Sequence, residues 1–368
     1  MPVIIIPIIV GLLIYLQKWV YERFWSRNLD AEAAFRDHTL SAGCETEITE
    51  RMTNAKILPL PWVQMKFEIL RNGKTDNLFR AELFNILFHQ QIVRKSKITL
   101  EKRGIYQISQ VSLFSSDLFI SGKLYKHYPN RTSVTVFPQK LPESDLDVPY
   151  EKLTGDIATR RYTLEDPFLF KGIRQYQQGD SFKNINFKAS ARSGEWLVNT
   201  HEYTLDQKVR ILLLADRSFL YAEEQEYEAA LSYAATLTGR LEEEGVPVIL
   251  ESNALDALEN KQPFVPEGCS QNHTDAVLEA LARLDLTRTG EKGQDMIRRL
   301  IDQRSADEYY VIICPEHSKV LMEAYQELAE YTTACMYIAP VTYRAITAMK
   351  EEEARLEKSV PNFFYYKL

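Results

Sequence analysis

The chain has 368 residues, 45% of them apolar and 11% aromatic, which excludes wholesale disorder and suits two domains rather than one core. A formal net charge of −7 argues against general nucleic-acid binding, which goes with a basic surplus. Cys44, Cys269, Cys314 and Cys335 are scattered and form no C-x-x-C pair. That spacing excludes the common zinc sites and a disulfide framework, and it fits small buried thiols in a reducing compartment.

In chain order, the first signal is Pro2–Leu16, which carries no charge; apolar character resumes at Trp19, Val20 and Tyr21. Read as far as Tyr21, the run reaches the roughly 17–25 residues of a membrane span if Lys18 snorkels to the headgroups. Trp19, Tyr21 and Trp25 would then lie in the interfacial belt. No Lys or Arg precedes the run, as a cleaved signal peptide would require. Residues 1–27 are therefore predicted to be an N-terminal transmembrane helix with its flank, in contact with the lipid bilayer. Lys18, Arg23 and Arg27 follow it, which places the main domains of a single-pass cell-membrane protein in the cytoplasm.

Residues 33–142 read as strands. Gln64–Leu70, Ile92–Leu100, Gly104–Leu113 and Ser133–Phe137 are rich in β-branched and aromatic residues, often alternating with polar ones. Pro59, Pro61, Asn72-Gly73 and Pro129-Asn130 mark turns between them. Short strands with regular breaks predict an antiparallel β-sandwich of about seven strands.

The period changes over residues 209–345. Val209–Ala215 is a continuous apolar run, as a buried parallel strand requires, followed by a helix over 223–245 closed by Gly245. Strands at 246–251, 309–314 and 334–339 alternate with helices at 274–284, 293–304 and 316–331, which predicts an α/β domain with a mostly parallel sheet. Ligands of such sheets bind beyond the carboxyl ends of the strands, so the loop that starts at Asp216 is a candidate site. Residues 346–368 are read as a tail whose aromatic end, Phe363–Tyr366, packs back on a sheet edge or on the membrane surface.

The linker, residues 143–208, holds the most distinctive stretch, GIRQYQQGDSFKNINFKASARSGEWLV from Gly172 to Val198. It resembles the signature of the family known as domain of unknown function 58, R-x-Y-x-x-G-D-x-x-R-x-I-x-W-x-A-S-A-R. Arg174, Tyr176, Gly179, Asp180, Ile185, Lys188, Ala189, Ser190, Ala191, Arg192 and Glu195 match. Lys183, Asn186 and Phe187 depart from the family's Arg, Asp and Trp, and Arg103-Gly104-x-Tyr106 resembles part of its sandwich. The resemblance implies a von Willebrand factor A-like α/β domain after the signature. It also implies a partner, because family members are often encoded beside MoxR-type AAA+ ATPases.

Chemically, Gly179-Asp180 reads as a turn. Arg174 and Arg192 are expected to pair with Asp180 and Glu195 and so knit the segment onto the α/β domain. The other reading makes Lys183, Lys188 and Arg192 a basic patch for an acidic partner or a phosphate. The signature residues Gly172, Arg174, Tyr176, Gly179, Asp180, Lys188, Ser190, Arg192 and Glu195 are thus structural or partner-binding.

Domains of the von Willebrand A type that bind Mg²⁺ use D-x-S-x-S, because a carboxylate and two hydroxyls supply half of an octahedral oxygen shell. Asp216 and Ser218 keep two of these positions, but Leu220 replaces the second hydroxyl, and a distant one could come only from Thr274. No cofactor is expected, with Mg²⁺ the one candidate at this degenerate site. The six histidines are isolated, and no Ser-His-Asp arrangement, Walker loop or G-x-G-x-x-G is present. No catalytic residue is assigned. The leading expectation is a non-enzymatic, membrane-anchored scaffold or adaptor for a MoxR-type AAA+ ATPase. A Mg²⁺-dependent protein-ligand-binding domain is the second reading, and a hydrolase of unrecognised type the third.

Overall fold

The computed structural model describes residues 2–119, 122–142, 146–161, 165–177, 181–203, 207–216, 224–303, 305, 307–341 and 360–367. The chain divides into two units: Met1–Gln139 with Asp256–Asn260 and Leu278–Leu284, and Lys140–Leu255 with Lys261–Val277 and Asp285–Leu368.

The first unit opens with helix α1 (Pro2–Phe24) and continues through β1 (Leu29–Phe35), β2 (Thr39–Ser41), β3 (Glu45–Asn54), β4 (Leu60–Arg71), β5 (Lys74–Ile86), β6 (Gln90–Thr99), β7 (Gly104–Ser115) and β8 (Leu124–Phe137). The expectation of a transmembrane helix is corrected here: among the described residues no helix is long and apolar enough to cross a membrane. The reason lies at the end of α1. Tyr21 and Trp25, expected among lipid headgroups, are buried in the core of the strands, and the Tyr21 hydroxyl donates to the Pro59 carbonyl at 2.9 Å. Without them the charge-free stretch Pro2–Leu16 spans about 22 Å at 1.5 Å per residue, against a hydrocarbon core of about 30 Å. The single-pass membrane location falls with it.

The strands form two sheets, β1-β3-β6 and β2-β8-β7-β4-β5. Burial alternates strictly along β3, so Thr46, Ile48, Met52 and Asn54 face inward as period two demands. Ile48, Met52, Met65, Ile69, Val111 and Leu113 fill the space between the sheets. The second sheet is mixed, because β2 runs parallel to β8 while its other pairs are antiparallel.

After residue 140 the elements are α2 (Asp147–Arg161), β9 (Glu165–Gln175), α3 (Phe187–Ser193), β10 (Leu197–Tyr203), β11 (Lys208–Leu213), α4 (Glu224–Glu243), β12 (Val248–Ser252), β13 (Ala254–Asp256), β14 (Phe264–Gly268), α5 (Gln271–Arg283), β15 (Leu284–Thr289), α6 (Gly293–Gln303), β16 (Glu308–Ile313), α7 (Lys319–Tyr331), β17 (Cys335–Val341) and β18 (Phe363–Lys367). The main sheet has the order β14-β12-β11-β16-β17-β18. It is mixed rather than mostly parallel throughout: β11, β12, β16, β17 and β18 pair in parallel, and β14 is an antiparallel edge on β12. A hairpin-like return after β12 lets β14 run backwards, which no apolar run in the sequence announces. The aromatic C-terminal stretch forms the other edge, β18, with Phe363 stacked on Tyr337.

One face of this sheet packs α6 and α7, through Met296, Ile297, Leu300, Leu321, Tyr325 and Leu328 on Leu212, Leu214 and Ile312. Helix α4 packs on β11, β12 and β17, burying Leu231, Ala234 and Leu237. Arg103 is buried in the first unit and donates to the carbonyls of Leu281 (3.0 Å), Ala282 (3.1 Å) and Leu284 (3.0 Å). Those carbonyls end α5 and belong to the same unit, so the guanidinium serves as a C-terminal cap.

Candidate functional site

Two places collect the residues singled out above. The first is a hairpin built from β9 and β10, which pair antiparallel from Leu197↔Gln175 onward. Between the strands the chain makes a 3-10 turn at Phe182–Asn184, bridges Ile185 to Val198, and turns into the short helix α3. Asn186 caps α3: its Oδ1 accepts from Ala189 N at 3.0 Å, and its Nδ2 donates to Asn199 Oδ1 at 2.8 Å. Ser190 ties the helix to β10, donating to the Asn186 carbonyl at 2.8 Å and accepting from Leu197 N at 2.9 Å. Gly194 ends α3 at φ 79°, a left-handed conformation that glycine adopts cheaply. Tyr176 N donates to the Trp196 carbonyl at 2.8 Å, holding the start of the segment to its end.

Among the described residues, Arg192 and Glu195 do not form the expected ion pair with each other. Arg192 is exposed and, among the described residues, pairs with no acid. The Glu195 carboxylate instead accepts a short hydrogen bond from Gln175 Nε2. Arg174 is exposed and donates to the Gln175 carbonyl at 3.1 Å. Lys183 and Lys188 are exposed as well. Gly172 lies in β9 opposite Thr200, next to a register shift. Gly179 and Asp180 lie outside the described residues.

Ile185 and Val198 are buried at 7% and 3%, whereas Phe182, Phe187 and Trp196 stand 75%, 67% and 60% exposed. Phe187 and Trp196 pack edge to face, their centroids 6.5 Å apart, and Tyr176 and Phe182 lie 6.1 Å apart. The backbone is thus fixed by Asn186, Ser190 and Gly194, while large rings and cations face water. Sequence reasoning missed the rings because it read the motif for its charges. The signal was Phe187 and Trp196, bulky apolar residues flanking a helix too short to bury them.

The second place is the carboxyl end of β11. Numbered in chain order within the main sheet, its strands run 3-2-1-4-5-6, so β11 and β16 flank the point where the order reverses. Asp216 lies there and is partly buried. Its Oδ2 accepts from Gly293 N at 2.8 Å, at the start of α6, and from Asn253 Nδ2 at 3.0 Å. Asn253 Oδ1 in turn accepts from Ala215 N at 2.7 Å. A Cβ on Gly293 would lie 2.1 Å from Asp216 Oδ2, so only glycine lets the helix end come this close. Burial pushes the Asp216 carboxyl above its ordinary value, and Asp295 adds to this. The two hydrogen bonds and Lys292 pull the other way.

As a Mg²⁺ site this arrangement is poor. One carboxylate oxygen is committed to the helix end, and Thr274, the distant hydroxyl, donates to Glu242 Oε2 at 2.6 Å instead. Ser218 and Leu220 lie outside the described residues. Among those described, no group of His, Cys, Asp and Glu could hold a metal ion. Cys314, across from Asp216 at the end of β16, is fully buried, and burial pushes its thiol up, the state of an inert cysteine.

No curated protein matches the chain. Among solved structures it is similar to the CARDB domain of the PF1109 protein from Pyrococcus furiosus in complex with di-metal ions, at 13% identity over 29% of this chain and 91% of that one, with a TM-score of 0.22. It is similar to the C-terminal domain of wzt at 9% identity over 30% and 75%, with a TM-score of 0.25. It is also similar to Spo0M, the sporulation control protein of Bacillus subtilis, at 9% identity over 41% and 58%, with a TM-score of 0.20. Scores this low carry no argument about fold or function. The informative match is to a family, over residues 172–333, which contain the end of β9, the turn segment with α3, β10 and Asp216. The family matched over these residues is described as protein of unknown function DUF58.

Proposed function

We propose that the protein is a non-enzymatic interaction scaffold that docks a protein partner through the β9–β10 hairpin, and that the partner is a MoxR-type AAA+ ATPase. One observation carries the reading. The family signature folds into a braced hairpin that presents Phe182, Phe187 and Trp196 to solvent beside Lys183, Lys188 and Arg192. Large exposed rings on a small monomer mark interaction surfaces, and Trp, Tyr and Arg dominate the binding energy of protein interfaces. The unpaired cations select an acidic partner surface. The ATPase is suggested by the family resemblance, and the von Willebrand A-like character of the second unit by its 3-2-1-4-5-6 strand order. In this reading Asp216 anchors α6 and takes no part in ion chemistry.

The test is photo-crosslinking with benzoylphenylalanine at Phe187 or Trp196, in cells of the source organism. A crosslink to a AAA+ ATPase from these positions, and none from Tyr331 on α7, is the expected result. Equal crosslinking from all three positions, or none from the hairpin, contradicts the docking role.

A further inference from the structure

A second surface lies on the first unit, independent of the hairpin. The inner face of β8-β7-β4-β5 closes the sandwich core, and its outer face is exposed. Strand register sets Leu83, Gln64, Phe114 and Tyr125 side by side across β5, β4, β7 and β8. Ala81, Lys66, Ser112 and His127 form the next row. Tyr125 is 68% exposed, Phe79 59% and Phe114 37%. Between the rings lies a depression of about 400 Å³, lined by Lys66, Glu68, Phe79, Gln110, Ser112 and Phe114.

Its polar side chains are already organised. His127 Nδ1 lies 2.7 Å from Gln110 Nε2 and 2.9 Å from Ser112 Oγ. Lys66 Nζ sits 4.8 Å from the centroid of the Phe114 ring, and the His127 and Tyr125 rings are 5.9 Å apart. A ligand for this face must lay apolar C–H surfaces on exposed rings and bring hydroxyls to Gln110, Ser112 and His127. An acyl chain would cover the charged Lys66 and Glu68 of the lining and match neither of them. A nucleic acid needs a surplus of cations, which Lys66 beside Glu68 does not give. An extended peptide adds to a sheet edge, not to its face.

From this chemistry we infer that the outer face of the sandwich binds a neutral oligosaccharide or polysaccharide chain, with Phe79, Phe114 and Tyr125 as stacking platforms and Gln110, Ser112 and His127 as hydroxyl partners. Neighbouring strands lie about 4.8 Å apart, close to the length of one pyranose, so Phe114 and Tyr125 address successive sugars. Each stacked ring contributes a modest increment, so its loss weakens binding by roughly two- to tenfold.

The experiment is affinity electrophoresis of the full chain in native gels cast with dextran, xylan or glycol chitin. Retardation is expected in at least one gel. Tyr125→Ala and Phe114→Ala each weaken it two- to tenfold, Gln110→Ala weakens it as well, and Trp196→Ala on the hairpin leaves it intact. Circular dichroism of each variant checks the fold, and Gln110→Ala stands in if a ring variant fails to fold. Unchanged mobility in all three gels overturns the inference. So does retardation that survives the folded Tyr125→Ala/Phe114→Ala double variant, or concentration-dependent self-association through this face.

Discussion

Asp216→Ala separates an anchoring role from an ion-binding one. The substitution removes the acceptor for Gly293 N at the start of α6 and for the Nδ2 of Asn253, which is fully buried. Loss of a helix cap costs about 1 kcal/mol, within roughly 0.5–2. Leaving one N–H of that buried amide unpaired, with only the Glu291 carbonyl at 3.4 Å to hold the other, adds about 1–3 kcal/mol. Asp216 is itself held above its ordinary pKa by burial, so removing the carboxylate returns part of this, and a net loss of about 2–3 kcal/mol is expected. For a unit of this size that lowers the melting temperature by roughly 4–10 °C. Asp216→Asn keeps an acceptor oxygen at the same place and should lose less than half as much. The assay is thermal unfolding of the full chain, with and without millimolar Mg²⁺. A native-state ion at a hundredfold excess over its dissociation constant would stabilise by about 2.7 kcal/mol. The account predicts no shift with Mg²⁺ in the wild type. A shift of several degrees that disappears in Asp216→Ala, with little loss of stability in the metal-free variant, would refute the anchoring argument.

Glu50 points into the sandwich with no hydrogen-bond partner on either carboxylate oxygen. Burial raises its pKa and Glu82 adds to this, while Arg94 and Arg80 oppose it. A raised folded value means stability is fully present below the unfolded pKa, about 4.3, and is lost as pH rises through the folded one. Glu50→Gln should therefore match the wild type near pH 4 and exceed it increasingly toward neutrality in denaturant unfolding; a gain largest at low pH would contradict the assignment. Arg210 bridges Glu308 (2.7 Å) and Glu251 (3.0 Å) beneath α6, and its side chain is 10% exposed. Arg210→Met leaves Glu308 without its cation and Glu251 with Arg299 alone, and should cost about 3–5 kcal/mol in urea unfolding, much of it recovered by adding Glu308→Leu; an unchanged midpoint would show that the network is screened.

Continuous apolar runs were legible because burial on both faces leaves little other choice. Val209–Ala215 predicts β11 (Lys208–Leu213), and the helix predicted at 293–304 is α6. The edges were not legible. β14 has only exposed and half-buried residues, with no buried one, so nothing in its composition distinguishes it from a loop. Helix α2 was missed inside the linker although Leu146, Tyr150, Leu153 and Ile157 bury one stripe at helical spacing; Thr154 and Gly155 diluted the signal. The membrane span was misread because Tyr21 and Trp25 suit a lipid interface and a protein core equally well by composition. Only the tertiary contact with Pro59 decides between them. At the candidate site, Asp216 was found from strand order alone, but its partner Gly293 is 77 residues away, a pairing no local pattern encodes. The hairpin motif was found by resemblance, while its direction, with the rings and Lys183, Lys188 and Arg192 outward, depended on the short helix α3 and its caps.

The measurement that bears most directly on the scaffold reading pairs stability with capture for Arg192→Glu/Trp196→Ala. Both side chains are exposed, and surface changes of this kind usually move stability by no more than about 0.5 kcal/mol each. The tagged full chain and this variant are melted side by side, then used to co-purify AAA+ ATPase from cells of the source organism. The account predicts superimposable melting curves with ATPase capture reduced at least tenfold in the variant. Undiminished capture by a variant that melts like the wild type would contradict it.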